Sequence, residues 1–281
     1  MALPLDKLET TYPSRSAVVD PERAVAYADA TNDPNDAYRS GPYAPPVFAV
    51  VPTWEAMGLV VADIVPAEAL MMIVHGEQDI HLHQPLLKGA RLTTSARASS
   101  VRVSGSGTRC TIEVASTDEA GAPVVTQHVT MFIRGMADGE SGGPDKPSHE
   151  FPESARSEVV GEHTVHVDDD QTFRYRDASG DQMPIHVDDG FARSVGLPGI
   201  IAHGLCTMAM TSQSVLALTA GGDPGRLKRL AVRFASNVFP GNDVTTTVFA
   251  AGARTNGRRL HPFEATSAGA VVIKHGWAEV Q

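Results

Sequence analysis

The chain has 281 residues, 42% of them hydrophobic and 20% charged, with a formal net charge of −10. That length supports one large domain or two of ordinary size, with the composition of a globular protein. An acidic chain without a basic run lacks the Lys/Arg footprint that nucleic acid requires, so no nucleic-acid partner is expected.

Cys110 and Cys206 alone suggest no secreted disulfide framework. The start, MALPLDKLETTYPSR, has no basic segment leading into an apolar one. Apolar stretches such as Ala44–Val51 and Leu216–Ala220 fall short of a membrane span, so a cytoplasmic protein with no membrane partner is expected.

Residues 1–20 read as a lead-in. Asp20 suits an N-cap and Pro21 a first turn, for a helix running to about Thr31. Pro45 and Pro46 mark the entry into an apolar helix reaching about Val61. From His75 to Gly89 an alternating strand ends in a Pro/Gly turn. His81 and His83 alternate as two ligands on one strand face would, but no Cys or carboxylate cluster completes a site, so neither metal nor cofactor is expected. Strands follow at Ala90–Val103, Thr108–Ser116 and Pro123–Arg134, where β-branched residues alternate between Gly- and Asp-marked turns. Residues 137–153 (ADGESGGPDKPSHEFPE) are rich in Gly, Pro and Ser with no periodic apolar face, which is a linker by composition.

The second half repeats the first. Tyr27 falls on Tyr175 and Asp33 on Asp181 at a constant offset of 148 residues, which places Tyr38 where His186 stands. Val50 sits near the place of His203. Strands are expected at Leu227–Ala235, Asp243–Gly252, Arg259–Ser267 and Ala270–Glu279. The chain therefore divides into repeats at 1–136 and 154–281, each α+β with a helix followed by antiparallel strands.

The stretch Tyr175–Met208 carries the chemistry. Pro184 sets a rigid loop between Asp181 and His186. Asp188 and Asp189 read as the cap of a short helix over Gly190–Val195. A buried helix starting near Ala202–Gly204 would leave its first amides free to face an anion, and Gly204 lets a ligand oxygen approach. Lys228, Arg229 and Arg233 are candidates for phosphate contacts.

Tyr175, Ser179, Gly180, Asp181, Pro184, Ile185 and His186, followed by His203, Gly204, Leu205, Cys206 and Thr207, closely resemble the two motif blocks of the MaoC-like, R-specific (type-2) enoyl-CoA hydratases. One position departs: the family's Asn is Met183. The resemblance implies a double hotdog, each half a long helix wrapped by an antiparallel sheet. It implies hydration of trans-2-enoyl-CoA, with Asp181 as base and proton shuttle, His186 orienting the water and the Gly204 amide as oxyanion donor. Tyr175, Ser179, Gly180, Met183 and His203 would shape the loop and substrate pocket, and Arg233 would meet the CoA phosphates. The first repeat, without the His, would leave room for the acyl chain, with Phe48, Met71 and Met72 as candidate lining. An acyl-CoA thioester is the expected partner, and a homodimer is compatible with the pattern. The competing readings are a hotdog thioesterase and a non-hydrating acyl-CoA or acyl-carrier binding protein.

Overall fold

The computed structural model describes residues 1–250 and 254–281. The first half runs through β1 (Arg15–Val18), α1 (Pro21–Ala30), α2 (Asp36–Arg39), a 3-10 segment at Pro46–Thr53 and α3 (Trp54–Ile64). It closes with β2 (Ile73–Leu82), β3 (Arg91–Ser104), β4 (Gly107–Thr117) and β5 (Pro123–Arg134). The second half opens with β6 (Val159–His166), α4 (Gln171–Ser179), α5 (Asp189–Ser194) and α6 (Gly204–Thr219). It ends with β7 (Leu227–Phe234), β8 (Asp243–Phe249), β9 (Arg254–Thr255), β10 (Arg258–Ser267) and β11 (Ala270–Val280). The expected end of β8, Ala251 and Gly252, lies outside the described residues.

These strands form one antiparallel sheet in the order β1-β3-β4-β5-β2-β7-β11-β10-β8-β6, with β9 on β10. Its first five strands mirror its last five. The halves meet where β2 pairs with β7, Asp79 opposite Ala231. Each half wraps its own helix: α3 lies on β3 and β4, and α6 on β6 and β8. This is the double hotdog.

Local chemistry explains the elements. Asp20 caps α1 by accepting from Arg23 N at 2.9 Å, with Pro21 in the first turn. α6 is buried along all of Leu205–Leu216, as a helix wrapped by a sheet must be. The corresponding helix of the first half differs. Pro52 lacks an N–H, and Pro46–Thr53 winds as a 3-10 helix before α3 begins. Pro46–Ile64 is long and apolar enough to cross a membrane, but about half of it is buried within the fold.

Two expectations are corrected. The lead-in contains β1, and β6 opens the second half; both are edge strands whose half-exposed patterns carry little apolar alternation. The segment 137–153 is no free spacer. Gly142 exchanges backbone hydrogen bonds with Val101 at 2.9 and 3.0 Å. Lys146 Nζ and His149 Nε2 then reach Glu77 at 2.5 and 3.2 Å, and Phe151 is buried. The segment is a strap laid over the seam between the halves.

Candidate active site

The site is built from the end of α4, the loop after it and the start of α6. Gly180 ends α4 in the left-handed region at φ +80°, and a Cβ there would stand 2.7 Å from Arg23 Nη2. The chain thus turns sharply into Asp181. Two short bonds hold the turn: Asp181 N donates to Ser179 Oγ at 3.2 Å, and Met183 N donates to Asp181 Oδ1 at 3.1 Å. Pro184 opens a 3-10 turn that ends at His186.

His186 is buried, and its Nδ1 lies 2.8 Å from the carbonyl oxygen of Ile201. A carbonyl only accepts, so Nδ1 carries the hydrogen and Nε2 is left as an acceptor. Burial lowers the pKa of His186, against the opposing pull of the Ile201 bond and the Asp181 charge, so the ring is predominantly neutral at neutral pH. Asp181 is half-buried. The side chains of Asp181, His186 and His203 bring one polar atom each to within 4.8 Å of the others.

His203 backs this pair. Its ring stacks on His186, centroids 3.8 Å apart and planes inclined 25°, and lies 4.8 Å from Tyr175. Its Nε2 lies 3.4 Å from the Asp181 carbonyl oxygen. Burial, then the neighbouring His186, pushes its pKa down to about 3. Two nearly parallel rings cannot aim their in-plane lone pairs at one ion about 2 Å from both, so this arrangement is not a formed metal site despite the closeness of the three groups.

Gly204 is the first residue of α6, so its N–H has no intrahelical acceptor and points with the positive end of a buried helix dipole. A Cβ at Gly204 would meet the Phe234 ring at 3.3 Å. The wall there is tight. The site therefore offers two proton acceptors, the Asp181 carboxylate and His186 Nε2, and, directly after the His203 that stacks on His186, a helix amide able to hold a negative oxygen.

The remaining expected residues take varied places. Tyr175 and Ser179 are buried, Tyr175 against Tyr27 and His203, and Ser179 beneath the loop with its carbonyl accepting from Trp54 Nε1 at 3.3 Å. They support the loop from within. Met183 is 40% exposed and holds the loop through its backbone N–H.

The basic residues are a correction. Arg233 is committed to Glu77 at 2.8 Å and Glu150 at 3.0 Å, and Arg229 is buried on Asp79 at 2.7 Å. Lys228 Nζ donates to the carbonyl of Gly225. Neither arginine stands as a free phosphate ligand, because the seam pairs Arg229 with Asp79 and Arg233 with Glu77, first-half carboxylates that a reading of one half could not supply. Phe48 packs on Tyr27 and lines a 370 Å³ cleft with Val51, Trp54, Arg23 and Ser179, next to the loop that carries Asp181 and His186. Met71 is exposed, and Met72 packs on the first-half core.

Residues 150–270 match the family model of the MaoC-like domain, and residues 40–135 that of the MFE-2 hydratase 2 N-terminal domain. The chain is 28% identical over 181 residues to the probable enoyl-CoA hydratase 2 of Dictyostelium discoideum, covering 64% of this chain and 61% of that one. It is 32% identical over 191 residues to the peroxisomal multifunctional enzyme type 2 of Drosophila melanogaster, covering 67% of this chain and 31% of that one. It thus spans less than two thirds of either curated relative. The crystal structure of a MaoC-like dehydratase from Phytophthora capsici superposes with a TM-score of 0.81 at 26% identity, covering 99% of this chain and 97% of that one. With both halves matched in order, the chain carries an MFE-2 hydratase 2 N-terminal domain followed by a MaoC-like domain, together forming one double hotdog.

Proposed function

We propose that the chain catalyses the reversible addition of water to a trans-2-enoyl-CoA, giving the (3R)-3-hydroxyacyl-CoA. The observation that carries this reading is the gathering of Asp181 and His186 within 4.8 Å of one another and of His203, the residue that leads into the first amide of α6 at Gly204. A water molecule has two hydrogens to donate, and these two acceptors can hold both. Its oxygen is then free to bond C3 of the enoyl group. As that bond forms, one acceptor takes a proton from the water, the C2=C3 electron pair moves toward the thioester, and the Gly204 amide holds the oxygen on which charge develops. The captured proton is returned to C2, which restores the thioester. No electron acceptor or other co-reactant is needed. The (3R) outcome is what likeness to proteins named enoyl-CoA hydratase 2 implies.

The test is loss of the ultraviolet band of the conjugated enoyl thioester when the protein is mixed with crotonyl-CoA and a longer homologue. Decay with the natural chain but not with Asp181→Asn, together with (3R) product on chiral analysis, supports the reading. Release of free thiol instead would make the chain a thioesterase. Binding without turnover would make it an acyl-CoA binding protein.

A further inference from the structure

Along β2, Glu77 faces the strap while Gln78 and Ile80 are buried in the core. Strict alternation would put His75 on the same side as Glu77. The register instead breaks between His75 and Glu77, so that His75 stands opposite the core residue Met131 and its Nε2 lies 3.1 Å from Gln78 Oε1. A bulge of this kind turns one side chain to the other face, and here it turns an imidazole inward.

The inward position is on the wall of the second half's site. The His75 ring meets Phe234 edge-on with centroids 5.0 Å apart, and Phe234 is the ring against which Gly204 is packed. Burial pushes the His75 pKa down to about 4, against the raising effect of the Gln78 bond and of the Asp181 charge, so the ring is neutral near pH 7.

A chain of buried amides sets its tautomer. Gln127 Nε2 donates to the carbonyl of Ala49 at 3.2 Å, which fixes that amide's orientation. Its Oε1 therefore accepts from Gln78 Nε2 at 2.9 Å. Gln78 Oε1 in turn must accept from His75, so Nε2 carries the hydrogen and Nδ1 is left an acceptor.

An acceptor on the wall that Phe234 shares with Gly204 would repel the thioester oxygen and has to meet a donor instead. An unsubstituted enoyl chain has no N–H or O–H, and the attacking water already faces two acceptors. The nearest donor on the substrate is the first amide N–H of the pantetheine arm, two methylenes from sulfur. We propose that His75 Nδ1 accepts a hydrogen bond from that amide, so that the first half supplies thioester recognition to the second half's site. The assignment rests on the hydratase reading above.

The test compares hydration of crotonyl-CoA with that of two short crotonyl thioesters, of N-acetylcysteamine and of O-acetyl-2-mercaptoethanol. The second replaces the amide N–H by an ester oxygen. The natural chain is expected to prefer the amide by about tenfold in kcat/KM, chiefly through KM, the worth of one hydrogen bond. His75→Phe and Gln78→Leu are each expected to bring that preference close to one, the latter by releasing the imidazole from its relay. A merely structural role would lower both substrates alike and leave the ratio untouched. The assignment is overturned if the natural chain hydrates crotonyl-CoA yet uses the two short thioesters equally or not at all, or if both variants keep the preference. Failure to hydrate crotonyl-CoA itself would instead remove the hydratase reading, and this assignment with it.

Discussion

The hydroxyls of Tyr27 and Tyr175, 148 residues apart in the chain, lie 3.0 Å from one another where the two halves meet. They are equivalent positions of the repeat. Both are buried, Tyr27 against Phe48 and Tyr175 against His203, so the contact joins the first half's core to the support of the Asp181–His186 loop. Either substitution, Tyr27→Phe or Tyr175→Phe, strands one buried hydroxyl and should cost about 1–3 kcal/mol in urea unfolding. The double substitution removes both groups at once. It should cost less than the sum of the singles, and strict additivity would show that the bond does not couple the halves.

The proton acceptors should be separable from stability. In Asp181→Asn the remaining Oδ1 still accepts from Met183 N, so the loop keeps its bond while the carboxylate is lost. Hydration should fall by about 10²–10⁴-fold with the thermal midpoint close to that of the natural chain. A comparable loss is expected for His186→Gln. Retention of activity in Asp181→Asn would move the base elsewhere.

Much of this site was legible before the fold was known, because it depends on short-range chemistry. Pro184 and Gly180 dictate a turn, the Asp-to-His spacing follows, and an apolar run after His203 gives a buried helix. What stayed hidden was everything set by the partner half. Arg233 looks free until β2 pairs with β7 and brings Glu77 to it. The polar segment 137–153 reads as a spacer because its anchors, Val101 and Glu77, are remote in sequence. His75 is misassigned by alternation, since a one-residue bulge leaves no mark in an alternating pattern. Edge strands β1 and β6 escape for a related reason: each pairs on one side only and need not be apolar.

The strap makes stability depend on acid pH. Burial alone would raise the Glu77 pKa, but His149, Lys146 and Arg233 outweigh it and hold the carboxyl well below its ordinary value. A carboxylate with a depressed folded pKa stabilises the fold above its unfolded pKa of about 4.3, and that contribution is lost as pH falls toward the folded value. Glu77→Gln leaves three cationic or hydrogen-bonding partners around a neutral amide, and should cost about 2 kcal/mol or more at pH 7. The gap between the two proteins should narrow as pH falls below about 4. Urea midpoints at pH 7 and pH 3.5 would check this, and a gap independent of pH would show that the ion cluster is not the source.

Met183 stands where the family motif has Asn, and its surroundings decide what the change means. An Asn with a buried partner would leave that partner unpaired when replaced by Met, with a cost in loop geometry. Here the side chain is 40% exposed, and the loop is held by Met183 N on Asp181 Oδ1, a backbone bond that any residue but proline supplies. Met183→Asn should therefore shift stability by no more than about 0.5 kcal/mol, and hydration of crotonyl-CoA by no more than about two- to threefold. Any larger effect is expected with longer acyl chains only if the thioether touches them. The measurement is the ratio of kcat/KM for crotonyl-CoA and a ten-carbon enoyl-CoA in both proteins. A large gain on crotonyl-CoA from restoring Asn would show that the natural chain lacks a catalytic contact, whereas a change confined to the longer substrate would make Met183 a selector of the acyl group.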